Sequence, residues 1–160
     1  MGYIANNLIN NETIIYKANV HWAIYIFPLV ALAIGIASIA AGASHSNGAV
    51  VIAGFFVSAI GVWKLIAAWI FKFSTELAVT SRRVIAKFGF IRRNTIELNH
   101  DKVESLGVDQ GILGRMLKYG TIFVHGTGGG ETPIPNIDDP LDFRKRAMET
   151  IDSNKNNLKE

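Results

Sequence analysis

The chain contains no cysteine. Disulfides, thiolate zinc sites and cysteine nucleophiles are therefore excluded, and cysteine usage says nothing about compartment. Acid is missing from two long stretches, residues 22–43 and 49–73, which leaves any buried cation there without a carboxylate partner. The loop between those stretches, SHSNG, has neither lysine nor arginine. Catalytic signatures are absent too: there is no HExxH, no nucleophile elbow and no P-loop, and His21, His45, His100 and His125 are scattered. No metal, no cofactor and no catalytic residue is expected, and the chain reads as a non-enzyme. The net charge of +3 is too small to imply a partner, so its distribution matters more than its total.

What is abundant is apolar side chain, 49% of the chain. Residues 22–43, WAIYIFPLVALAIGIASIAAGA, carry no charge. As a helix they span about 33 Å, enough for a bilayer core of about 30 Å. A second apolar run, residues 49–73, carries only Lys64 and Lys72. The pair reads as a transmembrane helical hairpin, with spans at about 22–43 and 49–71. Ala41-Gly42-Ala43 resembles a signal-peptidase site, but the apolar run before it is too long for a signal peptide, so an uncleaved span is expected. MGYIAN lacks the serine or threonine of a myristoylation signal. Lys17 precedes the first span, and Lys72, Arg82, Arg83 and Lys87 follow the second. By the positive-inside rule both termini are cytoplasmic, in a multi-pass protein of a bacterial inner membrane. Ala31, Gly35, Ser38 and Gly42, with Gly54, Ser58 and Gly61, place small residues on one face of each helix, a seam for close packing. The intramembrane Lys64 lies about 12 Å along the helix from Lys72. It either snorkels to the head groups or meets a partner span or a lipid phosphate.

The remainder reads as strands. STELAVTS, RRVIAKFG, RRNTIELN, KVESLGVD, GTIFVHGT and ETPIPNI are short, rich in β-branched or alternating residues, and separated by turn signals. Residues 12–20 alternate as well: Ile14, Tyr16, Ala18 and Val20 form one face, so this segment can add a strand to the later sheet. A helix closes the domain. Asp138 or Asp139 caps it, Pro140 suits its first turn, and Leu141, Phe143, Ala147, Met148 and Ile151 make its apolar face. The expected organisation is therefore an N-terminal segment, 1–21, contributing a strand; the hairpin, 22–73; a cytoplasmic domain, 74–152; and a polar, frayed tail, 153–160.

The order TSRRVIAKFGFIRRNTIEL, KVESLGVDQ, ILGRMLKYGTIFVHGTGG and IDDPLDFRK resembles the bacterial pleckstrin-homology-like, or membrane-flanked, domain family. Its most specific part runs from Leu113-Gly114-Arg115 to Lys118-Tyr119-Gly120-Thr121, and Arg82-Arg83 after Thr80 is typical. The resemblance implies two spans ahead of a mainly β domain, a small barrel or sandwich closed by a C-terminal helix. It also implies a non-enzymatic binding or scaffold module.

Three features bear on what that module would bind. Arg82, Arg83, Lys87, Arg92 and Arg93 form a basic hairpin with no acid inside it. Close to a span, such a cluster reads as attraction to anionic lipid; a solvated strand face and a protein partner are the alternatives. Nucleic acid is not expected, since no recognised binding motif is present. In GILGRMLKYG, the residues Ile112, Leu113, Met116 and Leu117 make one apolar helical face beside Arg115 and Lys118. Packed inward it would plug the β domain; on the surface it would dock on lipid or on another subunit. The loop HGTGGGE precedes a strand and not a helix, so it reads as a hairpin turn without a phosphate site. The expected partners are membrane lipids, with self-association or a membrane protein beside them. The rival function is an accessory subunit of a transporter or membrane-enzyme complex.

Overall fold

A computed structural model describes residues 3–89 and 94–157, with side chains through residue 154. The chain divides into two compact units: residues 1–21 with 72–160, and residues 22–71.

The first unit carries seven strands. The segments β1 (Ile14–Ala18), β2 (Glu76–Thr80), β3 (Arg83–Phe88) and β4 (Asn94–Asn99) form one antiparallel sheet in that order. The segments β5 (Val103–Asp109), β6 (Tyr119–Gly126) and β7 (Glu131–Asp138) form the other. In β6 every second residue is buried, as a strand with one covered face requires. An isolated bridge, Val20 with Ile137, ties the continuation of β1 to β7. Among the described residues no pairing joins β4 to β5, where a 3-10 turn at His100–Lys102 interrupts the chain. The strands thus make two sheets and not the closed barrel that the resemblance allowed.

The first sheet is covered on both faces, which explains why Leu77, Ala78, Val79, Val84, Ile85 and Ala86 are all buried. The short helix α1 (Tyr3–Asn6) lies over one face, where Ile4 packs with Ala78 and Ile85 beside Tyr3 and Leu8. Glu76 accepts the backbone N–H groups of Tyr3 and Ile4 at 2.9 and 3.3 Å, satisfying donors that the helix start leaves open. In β1, Ala18 is buried, as is Val20 beyond its end, but Ile14 is exposed, because the pairing register slips between Ile14 and Tyr16.

The last helix, named α5 here (Pro140–Asn157), buries Phe143, Ala147 and Ile151 and leaves Leu141 half exposed. It continues to Asn157, into the segment expected to fray. Asn154 holds it there, donating to the Ser81 carbonyl at 2.9 Å and lying 2.7 Å from His100 Nδ1.

In the second unit, α2 (Ile26–Ser44), preceded by a 3-10 turn at Trp22–Tyr25, and α3 (Gly48–Ser74) are joined by a tight turn. Both are long and apolar enough to cross a membrane. They touch backbone to backbone at glycines. A methyl group on Gly35 would stand 2.6 Å from the Ser58 nitrogen, and one on Gly54 would stand 2.8 Å from the Gly35 carbonyl oxygen. Gly42 and Gly61 are equally tight, against Val51 and Leu32. Outside this seam the helices display large apolar side chains, with Phe27 72% and Trp63 70% exposed.

Candidate functional site

The chain passes between its units at residues 21–22 and 71–72. Both passages lie at one end of the first unit's sheets. The pairs Ala18 with Leu77 and Glu76 with Lys87 place the end of β1, the start of β2 and the end of β3 together there. His21 donates its N–H to the Asn136 carbonyl at 2.7 Å and stacks on Tyr119 at 5.4 Å, which adds the start of β6 and the end of β7.

This end sorts the predicted basic hairpin. Lys87 is at the junction end, its Nζ 4.9 Å from the centre of the Tyr3 ring. Arg82 is exposed, but it follows β2 and so lies at the opposite end, about 17 Å away along the strand. Arg83 is turned inward and cannot serve a lipid surface. Its Nε and Nη2 bind the two oxygens of Glu12 at 2.9 and 2.8 Å, Nη1 binds Glu97, and Nη2 also reaches the Asn7 carbonyl at 3.0 Å. The covering segment over this face of the sheet brings Glu12 to it, which is why a residue expected to face lipid became an internal ion pair. Arg92 and Arg93 lie outside the described residues.

The electrostatics at Arg83 are those of a satisfied buried pair. Burial pushes the Glu12 carboxyl up, but hydrogen bonds from Arg83, the Ile9 N–H and the Thr80 hydroxyl outweigh it and hold it down at about 2. The Glu12 hydrogen bond and the Glu97 charge in turn raise Arg83 above its ordinary value against the effect of burial. Beside Arg82 opens a cleft of about 570 Å³, lined also by Ile9, Asn99, His100, Asp101 and Asn154. Burial pushes the His100 imidazole down and favours its neutral form.

The turn GILGRMLKYG is the short helix α4 (Ile112–Leu117). Its apolar side chains do not plug the interior. Ile112 is 82% exposed, Met116 76% and Leu113 55%, while Leu117 is half-buried. At about 100° per residue these four share one continuous arc, and Gly114 falls outside it. Gly114 is the residue that meets the body: a methyl group there would stand 2.6 Å from the Tyr119 carbonyl oxygen. The helix ends at Lys118, whose left-handed backbone, φ 58°, turns the chain into β6. Gln110 Nε2 clamps the turn, donating to the Tyr119 carbonyl at 3.0 Å. Arg115 and Lys118 are both exposed. Lys64, in α3, is exposed as well.

A family model described as a bacterial PH domain matches residues 20–150. No curated protein and no solved structure matches the chain.

Proposed function

The chain belongs to the bacterial PH domain family, and on that premise we propose that it is a membrane-anchored binding module, not a catalyst. The observation that carries the anchoring is the state of the two long helices. They close on each other through glycine and leave Phe27, Phe55, Phe56, Trp63 and Trp69 exposed. Lipid is the solvent that suits such surfaces. The uncharged loop at 44–48 and the lysines of the junction end favour an orientation with both termini in the cytoplasm of a bacterial cell.

In this reading the hairpin holds the PH-like unit against the inner leaflet by its junction end. Lys17, Lys72 and Lys87 lie at that end, and anionic head groups attract each such cation by about 1 kcal/mol near the surface. Glu76, 3.6 Å from Lys17, offsets part of this. The contact with lipid orients the module; a bound protein is its function. One observation favours a second reading, an accessory subunit within a larger membrane complex. Exposed Lys64 sits in a helix with no acid to meet it, a cation that a partner's span could neutralise.

Washing membranes with alkaline carbonate tests the anchor: the protein should stay in the pellet, and release into the wash would refute it. Purification in mild detergent followed by intact-mass measurement separates the two readings. A foreign protein at fixed stoichiometry would favour the accessory subunit.

A further inference from the structure

We propose that α4 is a second membrane contact, a wedge whose Ile112, Leu113 and Met116 enter the interfacial layer of an anionic phospholipid leaflet. The proposal rests on the anchoring reading above and specifies which surface of the PH-like unit meets the lipid.

Three observations carry it. The first is chemical. The turn offers three large apolar side chains to solvent on a helix of six residues, and the two charges within residues 110–120 are both cations, Arg115 and Lys118. An apolar tip rimmed by cations matches a leaflet, which presents phosphates over hydrocarbon. The nearest acid in sequence, Asp109, belongs to β5, and Asp138, which pairs with Tyr119 across the sheet, lies 3.7 Å from His21 Nε2.

The second is position. The Lys118 carbonyl, at the end of α4, accepts the Asp139 N–H at 2.9 Å. Asp138 donates its N–H to the Asn19 carbonyl at 2.9 Å, and Tyr119 stacks on His21. The next residue after His21 is Trp22, where the first apolar helix begins. The tip of α4 is about 9 Å of helix from Lys118, so α4 belongs to the end of the first unit from which the chain leaves for the first apolar helix.

The third is rigidity. Gly114, packed on the Tyr119 carbonyl, and the Gln110 clamp fix the turn with its apolar arc outward. A loop free to fold back would hide those side chains. This one displays them on a backbone already held in place, which lowers the ordering cost of contact.

The absence of cysteine makes the test direct. Single-cysteine chains, Met116→Cys, Phe56→Cys and Gly128→Cys, carry an environment-sensitive fluorophore. Each full-length protein is reconstituted in vesicles of phosphatidylcholine and phosphatidylglycerol, then quenched from the lipid phase with spin-labelled lipid and from water with iodide. The labels at Phe56 and Met116 should both respond to the lipid quencher. Gly128, in the β6–β7 turn at the far end of the unit, should respond to iodide. Adding Ile112→Glu should cut lipid quenching at Met116 several-fold and leave Phe56 unchanged. Iodide quenching at Met116 with lipid quenching at Phe56 would overturn the wedge and leave the anchor standing. Protection of Met116 from both quenchers would mean that protein covers the turn, and would also overturn it. No effect of Ile112→Glu would show that apolar insertion does not hold the turn in place. Iodide quenching at Phe56 would remove the anchoring reading itself.

Discussion

Replacing Glu12 by leucine removes one side of the buried pair with Arg83 while keeping the volume filled. Arg83 then keeps Glu97 and the Asn7 carbonyl but loses two charged hydrogen bonds, at 2.9 and 2.8 Å. The Ile9 N–H loses its acceptor as well, and the Thr80 hydroxyl, 2.7 Å from Glu12, is left with the Arg83 carbonyl at 2.9 Å. Breaking a buried pair by removing one partner costs about 3–5 kcal/mol, and the retained Glu97 argues for the lower end. The carboxyl itself gives a consistent figure. It is held at about 2 instead of 4.5, a preference for the charged form of about 3 kcal/mol. Amide hydrogen exchange in detergent-solubilised full-length protein reads this directly in β2 and β3. A loss of about 3 kcal/mol should speed exchange at Val79 and Val84 by roughly a hundredfold. Glu12→Leu combined with Arg83→Met should exchange more slowly than the sum of the single changes requires, because it leaves no unpaired charge inside. Acceleration by less than about threefold, or strict additivity of the two changes, would refute the claim that this pair pins the covering segment to the sheet.

Acid should destabilise the first unit in two stages. Neutral His100 favours the folded state, so stability should begin to fall as pH drops below 6.5, where the unfolded imidazole takes up its proton. Glu12 adds a second loss between about 4.5 and 2, since the unfolded carboxyl protonates first. Hydrogen exchange across a pH series, corrected for intrinsic rates, should show the lower stage shrink in Glu12→Gln, leaving the smaller share of Glu76 and Asp142, whose carboxyls are also held low; an undiminished stage would assign it elsewhere. In the hairpin, Gly35→Leu drives a side chain into the Ser58 backbone. Spin labels at Ala37 and Ala59 should move several ångström apart in that variant, and an unchanged distance would mean that the glycine seam does not set the helix spacing.

The strands declare themselves in the sequence because period-2 alternation and turn residues are local signals: β2 to β5 each fall within a segment that carries them, and β6 and β7 each overrun theirs by one residue. The C-terminal helix does so through Pro140 and the spacing of Phe143, Ala147 and Ile151. Its extension to Asn157 was not legible, because it depends on Asn154 meeting Ser81 and His100, which lie in turns distant in sequence. The burial of Arg83 was hidden for the same reason. Its partner Glu12 lies on the far side of the hairpin in sequence, and the covering helix α1 has four residues, too few for a periodic signal. The outward face of α4 misleads a pattern reading in the other direction. An apolar arc usually faces the interior, but here the glycine outside that arc makes the close approach and the arc is left in solvent. Gly114 is visible in the sequence as the one small residue of that helix, and its packing on Tyr119 was not.

The central claim is that the apolar hairpin crosses a membrane and leaves the PH-like unit on the cytoplasmic side. The direct measurement is thiol labelling of single-cysteine chains in intact bacterial cells with an impermeant reagent. Ser46→Cys, in the turn between α2 and α3, should react from outside. Ser153→Cys, exposed on α5, should react only after the cells are opened. Labelling of Ser153→Cys in intact cells, with Ser46→Cys protected, would contradict the account.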